Sequence, residues 1–130
     1  DLSDANLSDA NLGRADFGGA NLARADLSGA NLRGAYFGQA DLSHADLSGA
    51  CLAGVDFHRA NLTGANLSGA DLSDASLRGV DLTGAILTET NLTRADLFSV
   101  EISPDQLGLS VGDQTTRLPV GLARPATWAA

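Results

Sequence analysis

The sequence predicts a solenoid, a chain wound into a stack of similar coils, and three observations carry the prediction. A large apolar residue stands at every fifth position from Leu2 to Ile102, 21 units in unbroken register. A small residue, nearly always alanine, stands two positions before each of them, as Ala5, Ala10 and Ala15 do. The three phenylalanines of the series, Phe17, Phe37 and Phe57, recur at every fourth unit. A helical face needs apolar spacings of three and four, and a strand face needs two. A period of five meets neither. It is satisfied when each unit forms one side of a coil and neighbouring coils cover its apolar residue.

The phenylalanines set the size of the coil. With four units per coil, equivalent residues of successive coils stack vertically and all three rings share one face; a three-unit coil scatters them. Chance alone would place them together about one time in sixteen. A phenylalanine column packs against itself, whereas its volume is hard to place beside leucine at another corner. Four inward chains must also meet in a narrow tube, so a second inward residue per unit has to be small. Val55, Val80, Thr90 and Val100 are the exceptions and fill local gaps. Glycine often follows the central residue by two, as at Gly19, Gly49, Gly69 and Gly84. There each coil turns its corner, and glycine permits positive φ.

The residue before the central one is Asp or Asn in most units. Asp16, Asp26, Asp41, Asp46, Asp56, Asp71, Asp81 and Asp96 invite a catalytic or calcium-binding reading. Asn interchanges freely with them along the series. Turn geometry accepts either residue, while chemistry needs one particular acid, so these side chains are read as bonding the local backbone. The nine-residue glycine-rich repeat of calcium-binding β-helices is absent.

The unit A-(D/N)-L-(S/T)-x resembles the pentapeptide-repeat protein family over residues 1 to about 102. The resemblance implies an all-β, right-handed quadrilateral parallel β-helix with the central leucine and its alanine pointing inward. About five coils at ~4.8 Å each span about 25 Å. The chain accordingly divides into a β-helix, residues 1–102, and a C-terminal cap, residues 103–130.

The pattern changes after Ile102. Ser103-Pro104-Asp105-Gln106 reads as a helix start: a capping serine, proline at the first helical position and glutamine three past the cap. Leu107, Leu109 and Val111 follow, and Gly112 is placed to end the helix. The tail from Leu118 to Trp128, L-P-x-G-L-x-R-P-x-x-W, resembles the C-terminal segment of many bacterial pentapeptide-repeat proteins. An open coil end exposes unpaired backbone and leucines. Leu107, Leu118, Leu122 and Trp128 are assigned to cover it. Asp1 and Leu2 begin in mid-repeat without a cap. That predicts either a longer parent chain or a neighbour stacked there, hence a monomer or an end-stacked dimer.

Composition narrows the function. Sixteen acidic residues stand against eight arginines and no lysine, a net charge of −8. No basic cluster could neutralise phosphates, so direct nucleic-acid binding is not expected. No apolar run reaches membrane-spanning length. Cys51 is the only cysteine, which excludes an internal disulfide and favours the cytoplasm. His44 and His58 fall on different faces without metal-ligand spacing. The Asn-x-Ser/Thr matches, such as Asn61-Leu62-Thr63, arise from the repeat itself. No catalytic constellation, cofactor site or metal site is expected.

The excess charge falls on two adjacent faces. The face of Leu2 to Ile102 is net −4 and includes Asp41, Asp81 and Glu101; the face of Leu7 to Leu87 is net −4 and includes Asp9, Asp26, Asp46 and Glu89. The remaining faces are net +1 and −1. These seven acids are the candidate surface for a protein partner, a basic one by charge. The reading is a non-enzymatic, rigid interaction scaffold. The family resemblance implies an alternative, a DNA mimic that binds bacterial type II topoisomerase (gyrase) and gives quinolone resistance. A rod of about 25 Å, however, matches only about seven base pairs. A third reading is an accessory module of a larger protein.

Overall fold

Parallel β-bridges join each unit to the fourth unit after it along the whole repeat, from Asn6↔Asp26 to Asp81↔Glu101, in the computed structural model, which describes residues 1–128. Each coil therefore takes four units. Bonding between coils is the same on every side. In the second unit, the Leu7 N–H donates to the Asp26 carbonyl at 2.7 Å, and the Asp26 N–H donates to the Ala5 carbonyl at 2.8 Å. The Asp9 N–H donates to the Ser28 carbonyl at 2.9 Å. Single-residue bridges replace long strands because a turn follows each one within the unit.

The turns are uniform. The N–H three past the central residue returns to the central carbonyl, as from Ala5 to Leu2 at 3.1 Å. The residue two past the central one has positive φ at all twenty corners from Asp4 to Ser99, as the third residue of a type II turn requires. Nine of those corners are glycine and eleven are not, including Arg14, Gln39, His44 and Glu89. A side chain in this region costs roughly 1–2 kcal/mol, and it persists because the ladder on both sides dictates the corner.

Inside, the central leucines from Leu22 onward and the inward alanines from Ala25 onward are buried, as at Leu42, Leu62, Ala45 and Ala65. The phenylalanine rings form one column, with centroids 5.0 Å apart between Phe17 and Phe37 and 5.1 Å between Phe37 and Phe57, nearly parallel. Leu77 and Leu97, in the same register one and two coils further on, are fully buried in the same core. Val55 and Val80 occupy the small-residue position and are buried. Thr90 does so with its hydroxyl satisfied, donating to the Leu67 carbonyl at 2.7 Å.

The sixth coil is irregular. Helix α1, Pro104–Leu109, takes the place of one unit. Ser103 and Gln106 close a reciprocal capping box, and the Gln106 amide donates to the Leu82 and Ala85 carbonyls below, at 2.7 and 2.9 Å. Leu107 keeps the five-residue register above Leu87 and is fully buried. The expectation that the helix runs toward Gly112 is corrected. It stops at Leu109 with Ser110 as C-cap, because Val111 resumes pairing with Asn91. Leu109 and Val111 are consequently exposed.

Gly112 lies in the register where lower coils carry Leu92, Leu72 and Leu52. A Cβ there would come within 2.7 Å of the Trp128 indole. Trp128, buried and donating from Nε1 to the Ser110 carbonyl at 3.1 Å, supplies the apolar volume that the glycine lacks. One additional residue enters before the final bridge, Asp96↔Arg117. Leu118 and Leu122 are half-buried against the core. Residues 129 and 130, counted in the cap from the sequence, lie outside the described residues. No helix among the described residues is long and apolar enough to cross a membrane.

Stability measurements check this account. Gly69 has φ +66° and nothing within 4 Å of where a Cβ would stand, so Gly69→Ala isolates backbone strain and will cost about 1 kcal/mol in urea unfolding. Gln39→Gly, at an exposed corner with φ 60°, will gain roughly 0.5–1 kcal/mol by the same argument. Trp128→Ala will cost about 3–5 kcal/mol. Adding Gly112→Leu to that variant will recover part of the loss, whereas Gly112→Leu alone will destabilise.

Candidate functional site

The outward surface is built by the residue before each central position and the two after it. The Asp or Asn side chain turns back on its own unit. Its Oδ1 accepts the backbone N–H two residues on, as Asp26 does from Ser28 at 3.0 Å, Asp46 from Ser48 at 2.9 Å and Asp81 from Thr83 at 2.9 Å. Asn61 and Asn66 make the same bond with Thr63 and Ser68. Where a Ser or Thr follows, its hydroxyl often donates to the same oxygen, at 2.6 Å for Ser28 and Thr83. One oxygen of each such aspartate is thus committed to the turn, and Oδ2 is left over for other partners.

These side chains form ladders up the rod. One reads Asn21, Asp41, Asn61, Asp81, Glu101; the next reads Asn6, Asp26, Asp46, Asn66, Ile86. In the first, an asparagine separates the carboxylates Asp41 and Asp81 by two coils. In the second, Asp26 and Asp46 are direct neighbours at about 4.8 Å. Asp9 and Glu89 are corner residues with φ 57° and 58°, and Asp9 lies over Gly29. The seven sequence-selected acids therefore occupy two adjoining faces in ladder and corner positions and converge on no single point. Among the described residues the ion pairs use other acids: Arg24 with Asp4, Arg94 with Asp74, and Arg78 and Arg117 with Asp96.

The hydroxyl and N–H of the residue two positions on hold Asp26, Asp41 and Asp81 below the ordinary carboxylate value. A bidentate arginine does the same for Asp4 and Asp74. All five remain charged at neutral pH.

Other candidates are dispersed. His44 lies over Gly64 on one face, while His58 is on another. Cys51 is a half-buried free thiol in the ladder between Asn31 and Asp71. Among the described residues no group of three or more His, Cys, Asp or Glu is placed to hold a metal. An open groove of about 470 Å³ runs beside Arg14, Arg33 and Asp74 over Gly34 and Gly54; it is a surface depression, with no nucleophile–base pair in it. Sequence reasoning missed the ion pairs because their partners lie on successive coils and meet only through stacking. It also passed over Phe98, whose ring lies under the Arg78 and Arg117 guanidiniums at 5.3 and 5.1 Å.

Comparison with known proteins places this geometry. The pentapeptide repeats family matches residues 1–39, 40–79 and 75–103, in eight copies. The chain is similar to the solved structure of a pentapeptide repeat protein from the Arabidopsis thaliana thylakoid lumen, at 40% identity and TM-score 0.71, covering 82% of this chain and 70% of that one. It is similar to the pentapeptide repeat protein Rfr23 of the cyanobacterium Cyanothece 51142, at 31% identity and TM-score 0.54, covering 87% of each. The likeness to QnrB1, a plasmid-mediated fluoroquinolone resistance protein, is 24% identity at TM-score 0.49 over 93% of this chain and 57% of that one; it is too distant to carry an argument. No curated protein matches the chain.

The turn role of the aspartates predicts a pH response. Carboxylates whose folded pKa is lowered contribute stability above the unfolded value of about 3.9, and that stability is lost as pH falls through their folded values. Asn preserves the Oδ1 acceptor and removes the titration. The triple variant Asp26→Asn, Asp41→Asn, Asp81→Asn will therefore melt within a few degrees of the parent at pH 7 and lose less stability between about pH 4 and 2. Alanine at the same positions will lower the melting temperature at pH 7 more than asparagine does, because the turn loses its acceptor. Thermal melts across pH check both.

Proposed function

Because the chain belongs to the pentapeptide-repeat family, we propose that it is a non-enzymatic, rigid interaction scaffold whose partner is a basic protein segment. The observation that carries this reading is the placement of Asp9, Asp26, Asp41, Asp46, Asp81, Glu89 and Glu101 on two adjoining faces, none of them in an ion pair among the described residues. Fixed carboxylates at coil spacing offer repeated anchor points to arginine or lysine at little entropic cost to the scaffold. The non-enzymatic part is supported by the unbroken repeat. Active sites draw on loops that a scaffold positions, and residues 1–102 insert none.

We take the coil to be right-handed and four-sided, with about five regular coils, and residues 103–130 to act as its cap. The cytoplasm is the proposed compartment, on the strength of one free cysteine. The alternative of a DNA mimic acting on gyrase has a rod of about seven base pairs in its way. The third reading, an accessory module of a larger protein, is compatible with the same surface.

Two assays separate the first two readings. A lysine- and arginine-rich peptide will bind with an affinity that falls as salt rises, and Asp26→Asn, Asp41→Asn, Asp46→Asn and Asp81→Asn together will weaken it about tenfold or more at low salt. Binding that ignores those four changes would overturn the acidic-face reading. The purified chain is expected to leave gyrase supercoiling unaffected at low micromolar concentration. Inhibition that the same four changes abolish would establish DNA mimicry instead.

A further inference from the structure

Tyr36 is the single tyrosine of the chain and occupies an outward ladder position between two aspartates, Asp16↔Tyr36↔Asp56. It lies on the phenylalanine face, opposite the acidic face of Leu7 to Leu87 and next to that of Leu2 to Ile102. Its ring reaches sideways over Gly18 and Gly38. A Cβ on Gly38 would collide with the Tyr36 hydroxyl and Cζ, and one on Gly18 would meet Cε2 at 2.7 Å. The two glycines thus form a floor on which the ring lies, and Tyr36 is 43% exposed. The Asp16 carboxylate approaches the same point above Gly18, at 3.1 Å. Asp16 and Asp56 each commit Oδ1 to the N–H of the residue two on, at 2.9 Å. Among the described residues neither makes an ion pair, although Arg14 and Arg59 stand at nearby corners.

The same face shows what such a combination holds. Two coils up from Asp56, Asp96 also uses Oδ1 for its turn, accepting the Phe98 N–H at 3.0 Å. Its Oδ2 takes Arg78 Nε at 2.6 Å and faces Arg117 Nη1 at 3.7 Å. Both guanidiniums lie over the Phe98 ring, at 5.3 and 5.1 Å from its centroid. Aromatic face plus free carboxylate oxygen is therefore an arginine site in this protein, filled there from within the chain. At Tyr36 the aromatic ring carries a hydroxyl and carboxylates flank it on both sides, but the position corresponding to Arg78 is glycine or histidine: Gly18, Gly38 and His58 stand in that column.

We propose that Tyr36, Asp16 and Asp56 form a binding site for an arginine side chain of a protein partner. The guanidinium stacks on the exposed ring face and donates to the free Oδ2 of one flanking carboxylate, Asp16 or Asp56. Arginine fits better than lysine because a planar guanidinium can stack on the ring while its edge donates to a carboxylate oxygen, whereas an ammonium is a strongly hydrated point charge. The site is distinct from the acidic faces and goes beyond the reading given for them.

The test is a titration of the full chain with tetra-arginine and tetra-lysine peptides, followed by the ring resonances of Tyr36. Tetra-arginine is expected to shift those resonances and to bind more tightly than tetra-lysine. Tyr36→Ala is expected to weaken tetra-arginine about three- to fivefold, and Asp16→Asn with Asp56→Asn by at least as much, since Asn keeps the turn. Gly38→Ala lifts the ring without removing it and will weaken binding likewise; melting curves confirm that each variant is folded. Neutralising Asp26 and Asp46 will leave the Tyr36 shifts in place, which separates this site from the acidic faces. Unmoved Tyr36 resonances, equal shifts with both peptides, or an affinity indifferent to Tyr36→Ala and Gly38→Ala would each overturn the proposal.

Discussion

Constancy of the four-unit coil is the constraint on which the rest of the molecule depends. Each coil bonds to the next through three backbone contacts per unit, and the one extra residue of the sixth coil is taken up between the Val111 and Arg117 bridges with pairing kept. The ladder in turn holds eleven non-glycine corners at positive φ, a conformation those residues would leave if freed. It also aligns identical positions vertically. Leucine therefore packs on leucine and phenylalanine on phenylalanine, in a tube too narrow for a second large side chain per unit.

Vertical alignment governs the surface as strictly as the core. Any outward residue has its nearest neighbours on the coils above and below. A carboxylate therefore meets another carboxylate, an asparagine or an arginine according to what the preceding and following coils carry. Interleaved asparagines relieve repulsion in the Asp41–Asp81 ladder, and Arg24 and Arg94 reach one coil back to Asp4 and Asp74. Because the aspartates that precede a central residue spend one oxygen on their own turn, those side chains are held in place before any partner arrives. Asn can replace Asp for the turn, while only Asp adds charge, and this separates the structural requirement from the electrostatic one.

The last coil departs from the repeat without abandoning it. Leu107 holds the five-residue register inside a helix, and Val111 and Arg117 still pair with the coil below. Thr116 places a satisfied hydroxyl where alanine usually stands, donating to the Leu92 carbonyl at 2.8 Å. Gly112 and Trp128 divide between them what one leucine does elsewhere. A glycine in the central register makes room, and an indole from the far end of the tail fills it.

The period of five, the alanine two residues earlier and the four-unit spacing of the phenylalanines determined the solenoid and its coil length, because each is a local pattern that one packing rule explains. The turn role of Asp and Asn was legible for the same reason: the bond stays within one unit. The helix start at Ser103 was legible as a capping box, but its end was not, since Val111 leaves the helix to pair with Asn91, a contact visible only once the coils are stacked. The ion pairs, the indole over Gly112, the Arg78 and Arg117 clasp on Phe98 and the tyrosine lying on Gly18 and Gly38 are likewise tertiary decisions. Each depends on residues that coiling and stacking bring together, and no spacing rule within a single unit encodes which side chain the neighbouring coil will present.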